Sequence, residues 1–350
     1  MQSVRTAVVG ASGYSGQELL HYLARHPVFR VCLVTSRQNA GQPLSQTIHG
    51  LPRELGALRF VDAAPDFALA EQAEIFFLAV PHGTAAPFAV ALREAGKTVV
   101  DLSADFRTSD PAVYKEFYGQ DHPAPALLEE AVYGLPEIHR ERLKAAKLIA
   151  APGCFPTSII LPLAPFLRES IGLDTSTLVV NSLSGASGAG RKAEMRLLFG
   201  EISDNMYAYG VPKHRHLGEI EQELTLAAGH KVTISFIPHI VPMHRGMFTT
   251  ITAQFDRALS QAPYTDDDLY KILSDAYGQE PFVEVLPPGQ LPEARHVANS
   301  NRIEIAARSD ERMNRLLLFS SLDNLGKGNA SQAIQAANLA CGLEETLGLV

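Results

Sequence analysis

"VVGASGYSGQELL", Val8–Leu20, decides the reading of this chain. The apolar run "RTAVVG" has the length and composition of a short strand, and "SGQELLHYLARH" carries leucines at helical spacing. Between them stand Gly10, Gly13 and Gly16. A glycine-rich turn from a strand into a helix is the context in which a dinucleotide is held. Small residues let the backbone approach a pyrophosphate, and the first N–H groups of the helix point at it. The spacing is G-x-x-G-x-x-G rather than G-x-G-x-x-G, so the loop is weighed together with its surroundings. Its cofactor-binding candidates are Gly10, Ser12, Gly13, Tyr14, Ser15 and Gly16.

The surroundings agree. "FRVCLVTS", "AEIFFLAVP", "KTVVDLSADF" and "AAKLIAAPG" read as further strands, with "GTAAPFAVALREAG" as a helix among them. Strands alternating with helices predict a parallel sheet with crossover helices. After about residue 165 the pattern changes. "DTSTLVVNSLSG", "HKVTISFIPHIVPMHRGMFTTITAQF" and "FVEVLPP" suit a mostly antiparallel sheet in an α+β domain. "DNLGKGNASQAIQAANLACGL" is Ala-rich and helical, and such a late helix can return to the first domain. The expected fold is therefore α/β, a Rossmann-type unit interrupted by an α+β unit.

An NAD site usually places an acidic residue at the end of the second strand, on the ribose 2′-hydroxyl. Here that region reads "LVTSRQNAGQ", with Ser36 and Arg37 and no Asp or Glu. A hydroxyl and a guanidinium suit a 2′-phosphate through charge-assisted bonds, so NADP is expected over NAD.

Composition sets the limits. The 350 residues suffice for about two domains. A net charge of −8 argues against a broad nucleic-acid surface, which needs clustered Lys and Arg. No stretch approaches the roughly 20 apolar residues of a membrane span, and the opening "MQSVRTAVVGASGYSG" does not read as a signal peptide. Three scattered cysteines form neither a disulfide framework nor a Cys-rich zinc site, and a cytoplasmic protein with free thiols is expected.

Cys154 differs from the other two. It follows "AAP" and Gly153 and opens the apolar run "CFPTSIILPLAPF". Pro156 then falls in a first helical turn, where its missing N–H matters little. A thiol at a helix N-terminus meets the positive end of the dipole, which favours the thiolate. Cys32, inside a strand, and Cys341, in a late helix, read as small buried hydrophobes. A nucleophilic Cys beside a nicotinamide points to acyl-transfer redox chemistry. The thiolate displaces a leaving group, the thioester accepts hydride, and the oxyanion collapses to an aldehyde. Such a sequence needs a proton carrier, usually His. "YAYGVPKHRHLGEIEQEL" offers His214 and His216, with Glu219 one helical turn on. In an extended segment the two histidines face opposite ways, so one at most meets Cys154 directly. Alternating His can also chelate a metal, but no accompanying H-E-x-x-H or paired-Cys pattern exists, and no metal is expected.

Together these residues resemble the N-acetyl-γ-glutamyl-phosphate reductases, a family grouped with the semialdehyde dehydrogenases. "GASGYSGQEL", "DLSADFR", "VYGLPE", "APGCFPTS", "SLSGASGAGR", "HRHLGEI", "FIPHIVPMHRGM" and "DNLGKGNASQA" stand in the family's order, from Gly10 to Ala333. The resemblance implies arginine biosynthesis, with N-acetyl-γ-glutamyl phosphate as substrate and NADPH as reductant. It implies Cys154 as nucleophile and His216 as acid/base, with His214 the other candidate. It assigns Arg107 to the substrate carboxylate or acyl phosphate, where a bidentate guanidinium serves better than an ammonium. Tyr209, His214, Arg215 and Glu219 become substrate-side supports. Ser184, Gly185, Ser187 and Gly188 form a second small-residue loop toward the cofactor, and Asn324 closes the nicotinamide pocket. An NADP-binding domain of residues 1–153 and 322–350 is implied, with a substrate-binding and oligomerisation domain of residues 154–321. A homodimer or homotetramer follows from the same resemblance. Two departures concern loop geometry: Gly218 stands where the family usually has Pro, and Ala298-Asn299 where a Gly-containing turn is expected.

Overall fold

Val8 and Val9 point to opposite faces of one strand, and each face has its own helices. The computed structural model describes residues 3–256 and 264–350. They fall into two units, residues 1–153 with 329–350, and residues 154–328.

In the first unit, β1 (Val4–Val9), β2 (Phe29–Val34), β3 (Ile75–Leu78), β4 (Thr98–Asp101), β5 (Val132–Tyr133) and β6 (Leu148–Ala150) form one sheet. Its order is β2-β1-β3-β4-β6-β5 and every pairing is parallel. Three of its helices are α1 (Tyr14–Leu23), α2 (Ala85–Glu94) and the returning α6 (Ser331–Ala340). Val8, Phe77 and Ile149 pack with Leu19 and Leu20 of α1 and Ile334 of α6. Val9, Phe76 and Leu148 pack with Ala89 and Leu92 of α2. Helices on both faces explain why these strands are apolar runs without polar alternation. β2 lies on one side of β1 and β3 on the other, so the strand order reverses where the glycine loop begins.

The second unit holds β7 (Leu173–Gly185), β8 (Tyr207–Ala208), β9 (Ser235–Val241), β10 (Met247–Phe255), β11 (Val283–Val285), β12 (Ile303–Asp310) and β13 (Arg315–Leu322). Their order is β11-β12-β13-β10-β7-β9-β8. Four pairings are antiparallel, while β7–β9 and β11–β12 are parallel, so the sheet is mixed but mostly antiparallel. Its helices include α3 (Cys154–Arg168), α4 (Leu217–Ala228) and α5 (Asp266–Tyr277). β10 alternates strictly: Met247, Thr249, Ile251, Ala253 and Phe255 are buried, and the residues between are half-exposed. The buried side faces α3, because Ser158 Oγ lies 2.8 Å from Thr249 Oγ1. The other side presents Leu183, Phe248 and Phe319, all half-exposed.

Three expectations change. Cys32 is exposed, not buried: β2 is the edge strand, and its alternate residues Arg30 and Cys32 face outward. Cys341 is half-buried and sits just past α6, at its C-cap. The chain leaves the second unit after Gly328, not at 321, although β13 ends at Leu322. Asp323 retains the intervening residues by accepting from the N–H groups of Asn299, Leu325 and Gly326, and by pairing with Arg245 at 2.8 Å.

Candidate active site

β1 delivers Gly10 with φ +82°, a left-handed backbone that favours glycine, and a Cβ there would lie 2.5 Å from the Ala79 carbonyl. At Gly16 a Cβ would lie 2.6 Å from the Ala11 Cα, so α1 runs directly beneath the loop. The loop is tied to the end of β2. Gly10 N–H donates to Thr35 Oγ1 at 3.1 Å, and Ala11 N–H to the Thr35 carbonyl at 2.9 Å. Ser12 Oγ and Ser36 Oγ lie 2.9 Å apart. Gly13 caps α1 without a side-chain bond, and no acid stands in the first turn, which Tyr14 and Ser15 open. This is the cradle that an anionic pyrophosphate fits. Arg37, 87% exposed, reaches within 3.8 Å of Asp62. The Thr35–Val61 bridge brings that acid to the end of β2, which the local sequence could not reveal.

Arg107 is buried in the same unit. Its Nε donates to the Ala151 carbonyl at 2.8 Å and its Nη2 to the Leu102 carbonyl at 3.0 Å. These carbonyls lie just past the ends of β6 and β4, so the guanidinium ties two strand ends together.

Cys154 is the first residue of α3, and every residue from Phe155 to Leu167 is buried. The helix contains Pro162 and Pro165, each of which removes a donor to the carbonyl four residues earlier. Ser320 Oγ donates to the Ser158 carbonyl and Tyr277 OH to the Leu161 carbonyl, both at 2.7 Å. Side-chain hydroxyls from β13 and α5 thus replace the missing amides, and α3 stays helical to Arg168.

The histidines do not face opposite ways. Both are buried, their rings 4.8 Å apart and edge to face, while Arg215 between them is exposed. The reason is local: His216 already has helical dihedrals as the N-cap of α4, so the segment is not extended. Phe155, beside Cys154 in the chain, packs edge-on against His214 at 5.6 Å and His216 at 5.9 Å. His216 N–H donates to His214 Nδ1 at 3.2 Å. Burial, then the Arg215 charge, pushes His214 down to about 4, so it is neutral at pH 7. His216 Nε2 instead lies 3.9 Å from the buried carboxylate of Glu219. Tyr209 packs on His214 with ring centroids 5.4 Å apart. Burial, then the neighbouring Cys154, raises the Tyr209 hydroxyl far above its usual range, so it remains a donor.

The small-residue loop is tied down. Ala186 N–H donates to the Met243 carbonyl at 2.8 Å and Ser187 N–H to the His244 carbonyl at 3.0 Å. Asn324 Nδ2 donates to Ser187 Oγ at 2.9 Å and its Oδ1 accepts from Gly246 N–H at 2.7 Å. Gly185 leaves no room for a Cβ, which would stand 2.8 Å from the His244 carbonyl, and one at Gly188 would stand 2.9 Å from Ser184 Oγ. Asn299 takes the left-handed φ of +59°, which Asn tolerates, where a glycine turn was expected. Gly218 sits within the first turn of α4.

The first unit therefore gathers Gly10–Gly16, Ser36 and Arg37, and separately Arg107. The second gathers Cys154, Tyr209, His214, His216 and Glu219, and joins Ser184–Gly188 to Asn324. Sequence reasoning missed Phe236, stacked edge-on against both Phe155 and His214, and the Arg245–Asp323 pair. It also passed over Gly326 and Gly328, though two glycines beside a helical run are a sign of close approach. Among the described residues, no group of three or more His, Cys, Asp or Glu is placed to hold a metal, and no helix is long and apolar enough to cross a membrane.

Residues 5–146 match the family model of the semialdehyde dehydrogenase NAD binding domain, and residues 154–324 that of the semialdehyde dehydrogenase dimerisation domain. An N-acetyl-γ-glutamyl-phosphate reductase of Akkermansia muciniphila is 47% identical over 350 residues, covering 100% of this chain and 99% of the relative. The chain belongs to the N-acetyl-γ-glutamyl-phosphate reductase family of the semialdehyde dehydrogenases. The protein of that name from Geobacter metallireducens is 45% identical over 99% of this chain and 98% of its own length. Solved structures share the fold at low identity. Aspartate semialdehyde dehydrogenase II of Vibrio cholerae superposes with a TM-score of 0.71 at 18% identity, over 98% of this chain and 99% of that one. The Candida albicans aspartate semialdehyde dehydrogenase, solved with NADP, gives 0.70 at 17% identity, over 97% and 99%.

Proposed function

We infer that the protein reduces N-acetyl-γ-glutamyl phosphate with NADPH, giving N-acetylglutamate 5-semialdehyde and phosphate, in arginine biosynthesis. The observation that carries the reading is the thiol of Cys154 at the start of a buried helix, with the His214–His216 pair packed on its neighbour Phe155. Full-length relatives that bear this name support the substrate.

The residues divide the work. The Cys154 thiolate attacks the acyl carbon, and the C–O bond to phosphate breaks, leaving a thioester. The cofactor, when bound, supplies hydride to that carbon. The resulting oxyanion expels the sulfur as thiolate, and aldehyde is released. His216 is the proton carrier in this scheme; its Nε2 lies 3.9 Å from the buried Glu219 carboxylate. His214 stays neutral and its Nδ1 accepts the backbone N–H of His216, which fixes the chain at the start of α4. The Tyr209 hydroxyl, always protonated, donates toward the sulfur side of the site. Arg215 and Glu219 support the histidines, and Arg107, whose Nε and Nη2 tie two strand ends, meets the substrate carboxylate or acyl phosphate. Gly10, Ser12, Gly13, Tyr14, Ser15 and Gly16 cradle the pyrophosphate, and Ser36 and Arg37 take the 2′-phosphate. Ser184, Gly185, Ser187, Gly188 and Asn324 serve the nicotinamide side.

The half-exposed face of the second sheet, with Leu183, Phe248 and Phe319, is our candidate for the homodimer or homotetramer contact, supported by the dimerisation-domain match over 154–324. A reactive thiol also suits a reducing compartment such as the cytoplasm.

The test is phosphate-dependent oxidation of N-acetylglutamate 5-semialdehyde with NADP, followed by absorbance. Turnover that requires both phosphate and NADP is expected. Preference for β-aspartyl phosphate in a side-by-side reduction assay would replace this substrate.

A further inference from the structure

Gly328 lies against the nucleophile. A Cβ built at this position would stand 2.7 Å from the Cys154 Cβ and 3.1 Å from Leu322 Cδ1. Real Cβ atoms do not approach so closely, so something has to move. The backbone does not require glycine here, because Gly328 is not among the positive-φ residues. What crowds a side chain most is the Cys154 Cβ, ahead of Leu322 Cδ1 and the Asp323 carbonyl at 3.2 Å.

Neither partner is free to give way. Gly328 sits in a π-helical turn, Gly326–Ala330, and such turns occur often at functional sites. Its N–H donates to the Asp323 carbonyl at 2.8 Å, and the neighbouring Lys327 N–H to the Ser300 carbonyl at 3.3 Å. Asp323 is fully buried, accepts from three backbone N–H groups and pairs with Arg245. Lys327 is also fully buried, its amine 5.8 Å from the centre of the Phe282 ring. On the other side, α3 is held by Ser320 and Tyr277.

We propose that Gly328 is a positioning residue for the Cys154 nucleophile: a side chain there would push the thiol off the line on which it attacks. The proposal rests on the reading of Cys154 as nucleophile. Displacing a reacting atom by about 1 Å is a loss on the order of 10²-fold in rate.

The test uses the full chain with Cys32→Ser and Cys341→Ser, so that Cys154 is the sole thiol. Gly328→Ala is expected to lower kcat on the order of 10²-fold while KM for the semialdehyde stays within about threefold. Alkylation of Cys154 by iodoacetamide should slow across about pH 6 to 9, with NADPH affinity unchanged. A second measurement isolates the contact. Gly328→Ala should lower Tm more when residue 154 is Cys than when Cys154→Gly has removed the opposing Cβ and only Leu322 Cδ1 and the Asp323 carbonyl remain. Gly326→Ala is the control: its Cβ would meet the Ser300 carbonyl at 2.5 Å, so its Tm loss should be equal in both backgrounds. Wild-type kcat and alkylation in Gly328→Ala would overturn the proposal, as would equal Tm losses for it in both backgrounds. Full turnover in Cys154→Ser would instead remove the nucleophile reading, and the Tm comparison would still report on the contact.

Discussion

Ser320 Oγ donates at 2.7 Å to the carbonyl of Ser158, the carbonyl that Pro162 leaves without a helical amide. Tyr277 OH does the same for Leu161, opposite Pro165. The helix that begins at Cys154 thus depends on groups remote in sequence. Tyr277→Phe keeps the ring and removes the donor, leaving a buried carbonyl unsatisfied. We expect a loss of about 1–3 kcal/mol in denaturant unfolding of the second unit. An unchanged unfolding midpoint would show that the bond contributes nothing.

The two histidines should separate kinetically. His216→Asn removes the proton carrier and is expected to lower kcat about 10²–10⁴-fold. His214→Asn keeps an acceptor near the His216 N–H and should cost less. Burial holds His214 down to about 4, so it is neutral throughout pH 6 to 8. The kcat loss in His214→Asn should therefore be flat across that range, as a pH–rate profile of the variant would reveal.

Arg37 should govern the choice of cofactor. Its guanidinium is exposed and only loosely paired with Asp62, so it is available to a phosphate. Such an exposed pair is worth little to stability. Arg37→Ala should weaken NADPH binding by about tenfold and leave NADH binding nearly unchanged, measured by fluorescence titration. Equal weakening of both would place Arg37 away from the 2′-phosphate.

Two buried groups of the first unit should pull its stability in opposite directions between about pH 4 and 7. His26 Nδ1 accepts from the N–H groups of Phe29 at 2.8 Å and Val28 at 3.2 Å, and burial holds it below its usual value. Its contribution is complete above about pH 6.5 and is lost as pH falls toward the lowered folded value. Asp101 has the opposite sign. Burial, then Asp105, raises it to about 7, so ionisation penalises the folded state as pH climbs from about 4 to 7. Asp101→Asn should therefore stabilise the protein at pH 8 by at least about 1 kcal/mol relative to its effect at pH 4, measured by thermal unfolding. The wild-type acid loss should be reduced in His26→Asn.

The local pattern determined the architecture of the first unit. Apolar runs, a glycine turn and leucines at helical spacing each have one good solution, and Val8 and Val9 had to find cover on both faces. The thiol at the mouth of an apolar helix was equally legible, because Pro156 and the following run mark a helix start by short-range rules. Tertiary structure alone decided the rest. It packed Phe155 and Phe236, remote in sequence, against the His214–His216 pair. It brought Asp62 to Arg37 through a bridge between distant segments. It placed Gly328 against Cys154 and supplied Ser320 and Tyr277 to a proline-interrupted helix. Side-chain direction, proton affinity and close approach depend on neighbours far along the chain, and a linear pattern does not name those neighbours.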